Sequence, residues 1–492
     1  MRQTILSIDQ GTTSSRAFLI DQDLNVVGEG QHEFKQLYPK PGWVEHDAEA
    51  IWQSTLDAIR DCLASSQTDV KQIAAIGITN QRETILFWNK KTGRVLHNAI
   101  VWQDRRTAER CEQLKKEGLE EKIRQKTGLV LDPYFSATKI EWLFENNPQF
   151  REMAQKNELA CGTIDSFILW RLTGGLIHAT DVTNASRTLL MNLETCAWDD
   201  EMCDLFHVPK NILPKIVSCS EIYGTTINAD GLPNGIPIAG MAGDQQAALI
   251  GQACFEAGEA KCTYGTGSFI LMNIGNRPQS SRHGLITTVA YKIGDKIAYA
   301  FEGSAFIAGA AVQWLRDGLK IIKHSSDVEK LAAEVADSDG VVFVPALVGL
   351  GAPHWNPNAR GSITGLTRGT TAAHIARATL EGIAFCQHDI LEAMTKDIGT
   401  PLKILKVDGG ASKNNLLMQF QSDILQVPIS RPKMVETTVL GAAFLAGLAV
   451  GVWKDLNDIK KNWKEEKRFD PKMPREKVSE KTALWNLALN KI

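Results

Sequence analysis

The chain opens on two short apolar runs separated by a longer polar stretch. Ile5, Leu6 and Ile8 lead in, Ala17, Phe18, Leu19 and Ile20 lead out, and Asp9-Gln10-Gly11-Thr12-Thr13-Ser14-Ser15-Arg16 lies between. That pattern predicts two strands and a connecting loop. A hairpin can turn in fewer residues, so the loop needs another explanation. The second half repeats the pattern. Cys262, Thr263 and Tyr264 lead to Gly265-Thr266-Gly267-Ser268, and Phe269–Met272 lead away. Strand, small polar turn and strand again predict a remote internal repeat, with two related lobes opposed across a cleft.

Between and beyond these turns the pattern gives further strands and helices. Asn25–Phe34 reads as further strand, and Asp47–Ser65 as a helix with Asp47 as its N-cap. Gln72–Gly77 is an apolar strand that runs into Ile78-Thr79-Asn80-Gln81-Arg82-Glu83. Charged residues directly after a buried strand mark a ligand crevice at the carboxyl ends of strands. Thr84–Trp88 and Ala99–Trp102 are strand-like, helices follow through Glu145, and Gly162–Leu172 reads as a helix. Ile236–Met241 is a strand delivering Gly243, Asp244, Gln245 and Gln246, followed by a helical Ala247–Gln252. A boundary at about Gln252–Lys261 divides the chain into lobes 1–252 and 253–492. In the second lobe, Ala305–Leu315 reads as a helix with Gly309 and Gln313 on one face, and Thr371–Thr395 as a long helix. Ile404–Val407 reads as a strand ending in Asp408-Gly409-Gly410, which opens a helix over Asn414–Leu425. Val439–Trp453 is an Ala/Gly-rich buried helix, too short to span a bilayer.

Composition narrows the class. A chain of 492 residues exceeds one core, and 43% hydrophobic with 23% charged residues suits a globular protein. The net charge of -3 comes with no basic stripe, so neither nucleic acid nor membrane insertion is expected. Asp9 interrupts the N-terminus before a signal-peptide apolar region forms, and the nine cysteines are scattered without a Cys-x-x-Cys pair. Both features point to reduced thiols and a cytoplasmic location.

Candidate chemistry concentrates at the turns. Gly11 permits a tight turn, while the hydroxyls and backbone N–H groups of Thr12, Thr13 and Ser14 are donors suited to phosphate. Arg16 adds fixed positive charge, and Asp9 is a hard oxygen ligand suited to magnesium. Gly409-Gly410, between strand and helix, lets a flat base and ribose approach the backbone. No Gly-Lys pair occurs, which excludes a Walker-type loop; dinucleotide, His-Glu-x-x-His and Gly-x-Ser-x-Gly motifs are also absent.

Several segments together resemble the FGGY carbohydrate kinase family. These are DQGTTSSR at Asp9–Arg16, PGWVEHD at Pro41–Asp47, ITNQRET at Ile78–Thr84, AGDQQAA at Ala242–Ala248 and TYGTG at Thr263–Gly267. YFSATKIEWLFEN at Tyr134–Asn146 and the segment Gly361–Glu381 resemble the two family signatures. The resemblance implies an α/β fold of two duplicated actin-like (ribonuclease H-like) ATPase domains with a cleft between them. The activity it implies is that of the family's glycerol-phosphorylating members. The γ-phosphoryl group of ATP passes to glycerol, giving sn-glycerol 3-phosphate and ADP, the first step of glycerol catabolism.

The same resemblance implies roles for residues. Arg82, Glu83, Tyr134, Asp244 and Gln245 hold glycerol, Trp102 and Phe269 wall its carbon side, and Asp244 acts as general base. Thr12, Thr13, Ser14, Arg16 and Thr266 face the phosphates of ATP, with Mg2+ near Asp9. Gly309, Gln313, Gly410 and Asn414 surround ribose and adenine, and the implied assembly is a homodimer or homotetramer. Some relatives bind fructose 1,6-bisphosphate on a Gly-Gly-Thr-Arg loop; here the matching Leu232–Gly235 carries no arginine, so that control is not expected. Phosphorylation of a histidine near this region is not expected either, since Glu221–Gly240 contains none. Two alternatives stand beside this reading: another FGGY kinase acting on a pentulose or sugar alcohol, and a non-metabolic actin-like ATPase.

Overall fold

Strand β1, Thr4–Gln10, is buried at every position, as expected of a strand covered on both faces. The computed structural model describes residues 3–66, 68–356 and 358–492. β1 pairs antiparallel with β2 (Ser14–Asp21), which pairs antiparallel with β3 (Val26–Glu33). On its other side β1 runs parallel to β4 (Ile73–Asn80). With β5 (Ser220–Thr225) and β6 (Pro237–Gly243) the sheet order is β5-β6-β4-β1-β2-β3, β6 parallel to β4 and β5 antiparallel at the edge.

The second sheet is built the same way around β7 (Ala260–Tyr264). β7 pairs antiparallel with β8 (Ser268–Gly275) and parallel with β11 (Leu405–Asp408). β9 (Ile286–Ile293) and β10 (Lys296–Ala305) extend one side. β12 (Ile429–Pro432) and β13 (Glu465–Phe469) extend the other, giving the order β9-β10-β8-β7-β11-β12-β13. Strand for strand, in order and sense, this repeats the first sheet with β9 added. The repeat expected from two similar turns is therefore a duplication of whole lobes.

Helices cover and join the sheets. α1 (Ala48–Ser65) starts where Asp47 accepts the Glu49 amide, the cap expected from sequence. α2 (Asp244–Gly251) follows β6 directly, and α3 (Gly309–Asp317), α4 (Ala372–Ile398), α5 (Asn415–Leu425) and α6 (Thr437–Val450) belong to the second half. α6 crosses onto the first sheet: Ser7 Oγ donates to the Val439 carbonyl at 2.7 Å. Glycines make that approach possible. A Cβ on Gly441 would collide with the Ala247 carbonyl of α2, and one on Gly251 with the Thr437 carbonyl of α6. The two helices thus touch backbone to backbone at the junction of the lobes.

Several boundaries differ from those the sequence predicts. β4 continues to Asn80 because Ile78–Asn80 pair with β1 and β6, and tertiary pairing overrides the polar residues there. Gly162 and Thr163 complete a strand, Leu159–Thr163, before the helix Ile164–Leu172 begins. α2 starts at Asp244 rather than Ala247, and Ala305 ends β10 while α3 begins only at Gly309.

Candidate active site

The carboxyl ends of β1, β4 and β6 lie side by side, with Gln10 opposite Asn80 and Asn80 opposite Gly243. Asp9, Arg82 and Asp244 therefore emerge at one edge of the first sheet, where open α/β sheets bind ligands. The β1–β2 turn is closed by the Gly11 amide donating to the Ser14 carbonyl at 2.9 Å. Thr13 is exposed at its tip. Thr12 Oγ1 accepts from Trp102 Nε1 at 3.1 Å, and Ser14 Oγ accepts from Gln31 Nε2 at 3.3 Å. Arg16 reaches two carboxylates, Asp9 Oδ2 at 2.5 Å and Glu436 Oε2 at 2.6 Å. Burial pushes the Asp9 carboxyl up, while the Arg16 charge opposes the rise.

Beyond β4, Glu83 takes a left-handed backbone, φ 60°, and Ser136 Oγ donates to its carbonyl at 3.0 Å. A non-glycine residue in that region carries backbone strain that the surrounding contacts must hold. Arg82 is the hub. Its Nε lies 3.1 Å from Asp244 Oδ1, and its Nη1 and Nη2 grip Glu302 at 2.6 and 3.1 Å. Arg187 completes the cluster, with Nε donating to Glu83 Oε1 at 2.7 Å and Nη2 to Glu302 Oε1 at 2.9 Å. Burial alone would raise Glu302, but Arg187 and Arg82 outweigh it and hold the carboxyl down at about 2. Arg82, Arg187, Glu83 and Glu302 are buried, whereas the Asp244 side chain is 33% exposed. Asp244 is thus the charged member of this cluster open to a substrate.

Tyr134 packs edge-on against Trp102 with centroids 5.5 Å apart, so the two rings form one wall. Burial, then the Glu83 charge, pushes the Tyr134 hydroxyl well up, so it stays a protonated donor. The Gln245 amide N–H donates to Asp244 Oδ1 at 2.7 Å, and the side-chain Oε1 accepts from Lys261 Nζ. Burial pushes the Lys261 ammonium down, against the pull of Asp408 and Asp244. Phe269 is half-buried on β8, in register between Thr263 and Ser304.

The second lobe presents the matching turn. The Gly265 amide donates to the Gly267 carbonyl at 2.8 Å, and Thr266 is exposed. The Thr266 carbonyl accepts from the Ala308 and Ala310 amides, which ties the turn to the start of α3. Gly309 allows this, since a Cβ there would press on the Gly265 carbonyl, and Gln313 stands exposed one helical turn later. After β11, Gly409 has φ 82° and packs on the Tyr264 backbone, but a Cβ on Gly410 would meet nothing. Asn414 Oδ1 accepts from the Leu417 amide and caps α5.

Four charged residues at the site escape sequence reasoning: Glu302, Arg187, Lys261 and Glu436. Glu302 and Lys261 carry one usable signal, a lone charge inside an apolar strand. Arg187 sits in a Ser/Thr-rich stretch that reads as a connection, and Glu436 gives no signal.

Comparison with known proteins follows the same outline. Family models for the N-terminal and C-terminal domains of the FGGY family of carbohydrate kinases match residues 4–251 and 260–450. A glycerol kinase of Geobacillus sp. (strain WCH70) is 55% identical over 489 residues, covering 99% of each chain. One from Listeria monocytogenes serovar 1/2a is 54% identical over 488 residues, 99% of this chain and 98% of that one. Among solved structures, a Plasmodium falciparum glycerol kinase with ADP superposes with a TM-score of 0.94 at 42% identity, covering 100% of this chain and 98% of that chain. A ligand-bound xylulose kinase from Lactobacillus acidophilus gives 0.88 at 26% identity, covering 99% and 97%.

Proposed function

The chain belongs to the FGGY family of carbohydrate kinases, from which we infer that it transfers the γ-phosphoryl group of ATP to glycerol. The observation that carries this reading is the full-length likeness to glycerol kinases at 55% identity. The pocket chemistry supports it. Glycerol is small and uncharged, so recognition needs donors and acceptors for adjacent hydroxyls and an apolar wall for its carbons. Arg82 and Gln245 offer donors, Glu83 and Asp244 acceptors, and Trp102 with Tyr134 an aromatic wall.

Asp244 is the proposed general base. A primary alcohol is a weak nucleophile, and a carboxylate within hydrogen-bond reach takes its proton as the O–P bond forms. The Arg82 guanidinium and the Gln245 backbone N–H engage Oδ1, and the Gln245 Nε2 contact on Oδ2 is long at 3.4 Å, so Oδ2 is the oxygen proposed for that task. Thr12, Thr13, Ser14 and Thr266 are proposed to donate to phosphate oxygens from the two turns, and Gly309, Gln313, Gly410 and Asn414 to surround the nucleoside. Arg16, which bridges Asp9 and Glu436 from opposite ends of the chain, is proposed to meet the triphosphate. Closure of the lobes would exclude water, which otherwise accepts the phosphoryl group.

Magnesium fits the donor set. Both Arg16 contacts on Asp9 fall on Oδ2, leaving Oδ1 to a cation or to its water. Asp9 is the residue proposed to hold it, and the ion supplies neutralisation of phosphate charge.

All nine cysteines are free, which supports a cytoplasmic setting. Among the described residues no helix is long and apolar enough to cross a membrane. The proposed assembly, a homodimer or homotetramer, rests on family resemblance.

A coupled ADP-release assay across glycerol, pentuloses and sugar alcohols tests the reading. Glycerol should give the highest kcat/KM; a pentulose that surpasses it would assign the pocket to another branch of the family.

A further inference from the structure

We propose that Glu302, a residue of the second lobe, positions the polyol-binding arginine of the first, with Arg187 joining it to the polyol-binding glutamate. The inference rests on the glycerol reading above and adds two positioning residues to it.

The geometry is a chain of charges. Asp244 meets Arg82 Nε, Arg82 meets Glu302 through both terminal nitrogens, Glu302 Oε1 meets Arg187 Nη2, and Arg187 Nε meets Glu83 Oε1. Two guanidinium groups thus stand among three carboxylates. Only Asp244 has appreciable exposure, at 33%. A forked guanidinium–carboxylate contact fixes the plane of both groups, which a single contact does not. Because Glu302 occupies both terminal nitrogens, Arg82 can offer Asp244 only its Nε edge. Asp244 Oδ2 is left without an arginine contact, met by the Gln245 side-chain Nε2 at the long distance of 3.4 Å.

Removal of the Glu302 charge changes the balance. Arg82 and Arg187 would then have only Glu83 and Asp244 as anionic partners in the cluster. In a buried setting an unpaired charge is costly, so both guanidinium groups would turn toward those two carboxylates. Glu83 and Asp244 are the acceptors the substrate hydroxyls need. Glu302 therefore keeps the two arginines from occupying the polyol site. Its own place on β10, between β8 and β9, ties this function to the second lobe. The pocket on the first lobe is complete only when that strand is docked against it.

Arg187 serves Glu83 in the same manner. Its Nε engages Oε1, and its guanidinium lies 5.7 Å from the Tyr134 ring centre and 5.2 Å from that of Phe135. The two rings, themselves 5.0 Å apart, pack beside the guanidinium while the two carboxylates hold its edges, leaving Glu83 Oε2 without an arginine contact.

The test is steady-state kinetics of full-length Glu302→Gln and Arg187→Lys beside the unaltered enzyme, varying glycerol and ATP separately. Glu302→Gln should raise KM for glycerol about 10-fold or more and keep KM for ATP within about twofold. Arg187→Lys, which keeps the charge and loses the fork, should raise KM for glycerol about fivefold with the same split. A merely structural role would lower the active fraction, and so kcat, with both KM values unmoved; that result overturns the proposal. If Glu302→Gln is insoluble, Arg187→Lys decides by the same split. Unaltered enzyme that releases no glycerol-dependent ADP would overturn the glycerol reading and this inference together. Unaltered enzyme that does so, beside variants with unchanged KM for glycerol, would overturn this inference alone.

Discussion

Arg82 Nε lies 3.1 Å from Asp244 Oδ1, joining the second residue past the end of β4 to the first residue of α2. The two are separated in sequence by most of the first lobe and meet because β4 and β6 run parallel and end together. The contact holds one carboxylate oxygen, the other is met by Gln245 Nε2 at 3.4 Å, and the side chain keeps partial exposure. That arrangement suits a base that must be fixed in place yet reachable.

The nucleotide side can be tested without disturbing the fold. Gly410 has no neighbour within van der Waals reach of a Cβ and does not need a positive φ. Gly410→Leu should therefore shift the melting midpoint by less than about 2 °C. If the nucleoside lies against it, KM for ATP should rise about 10-fold or more while KM for glycerol stays within about twofold. Unchanged KM for ATP would move the nucleoside elsewhere.

The junction of the lobes predicts a stability defect. Alanine is the better helix former, so Gly441→Ala on an open helix would be favourable by about 1 kcal/mol. Here the added Cβ meets the Ala247 carbonyl, which is backbone and cannot rotate away. The substitution should cost about 3 kcal/mol, read as a lower denaturant midpoint. A neutral result would mean that α2 and α6 separate at little cost.

Acid stability carries a sign that can be worked out. Glu302 is held at about 2 in the folded protein against an ordinary 4.5. A carboxyl with a depressed folded pKa contributes stability above its unfolded pKa and loses it as pH falls through the folded one. The contribution is on the order of 3 kcal/mol, present above pH about 4.5 and lost toward pH about 2. Burial raises Asp9 and Glu83 instead, and these act in the opposite sense. The comparison must therefore be between the unaltered protein and Glu302→Gln. Denaturant midpoints of the two should converge as pH falls from about 4.5 toward about 2. A constant gap would place the Glu302 pKa outside that window.

Local pattern revealed much of this architecture, and long-range contact revealed the rest. The turn at Gly11–Ser14 and its counterpart at Gly265–Ser268 were visible because apolar strands flank them on both sides. Arg82, Glu83 and Asp244 stood out because charge follows directly on a buried strand. The sequence pattern starts α2 at Ala247 rather than Asp244, because Asp244 and Gln245 are polar and polarity at a helix start resembles a loop. Glu302 lies 220 residues from Arg82, and no periodicity within β10 announces which partner its carboxylate will find. Arg187 was hidden for the same reason: its role depends on Glu83 and Glu302 arriving from two different sheets. The Ala/Gly-rich stretch of α6 signals close packing without naming the surface it packs on.

The central claim is that Asp244 takes the proton from glycerol as phosphate transfers. ADP release measured against glycerol concentration, for the unaltered enzyme and Asp244→Asn side by side, tests it most directly. The account predicts saturable, glycerol-dependent release in the unaltered enzyme and a kcat lower by about 10² to 10⁴ in the variant, with ATP affinity retained. Near-equal kcat values, or release that proceeds as fast without glycerol, would contradict it.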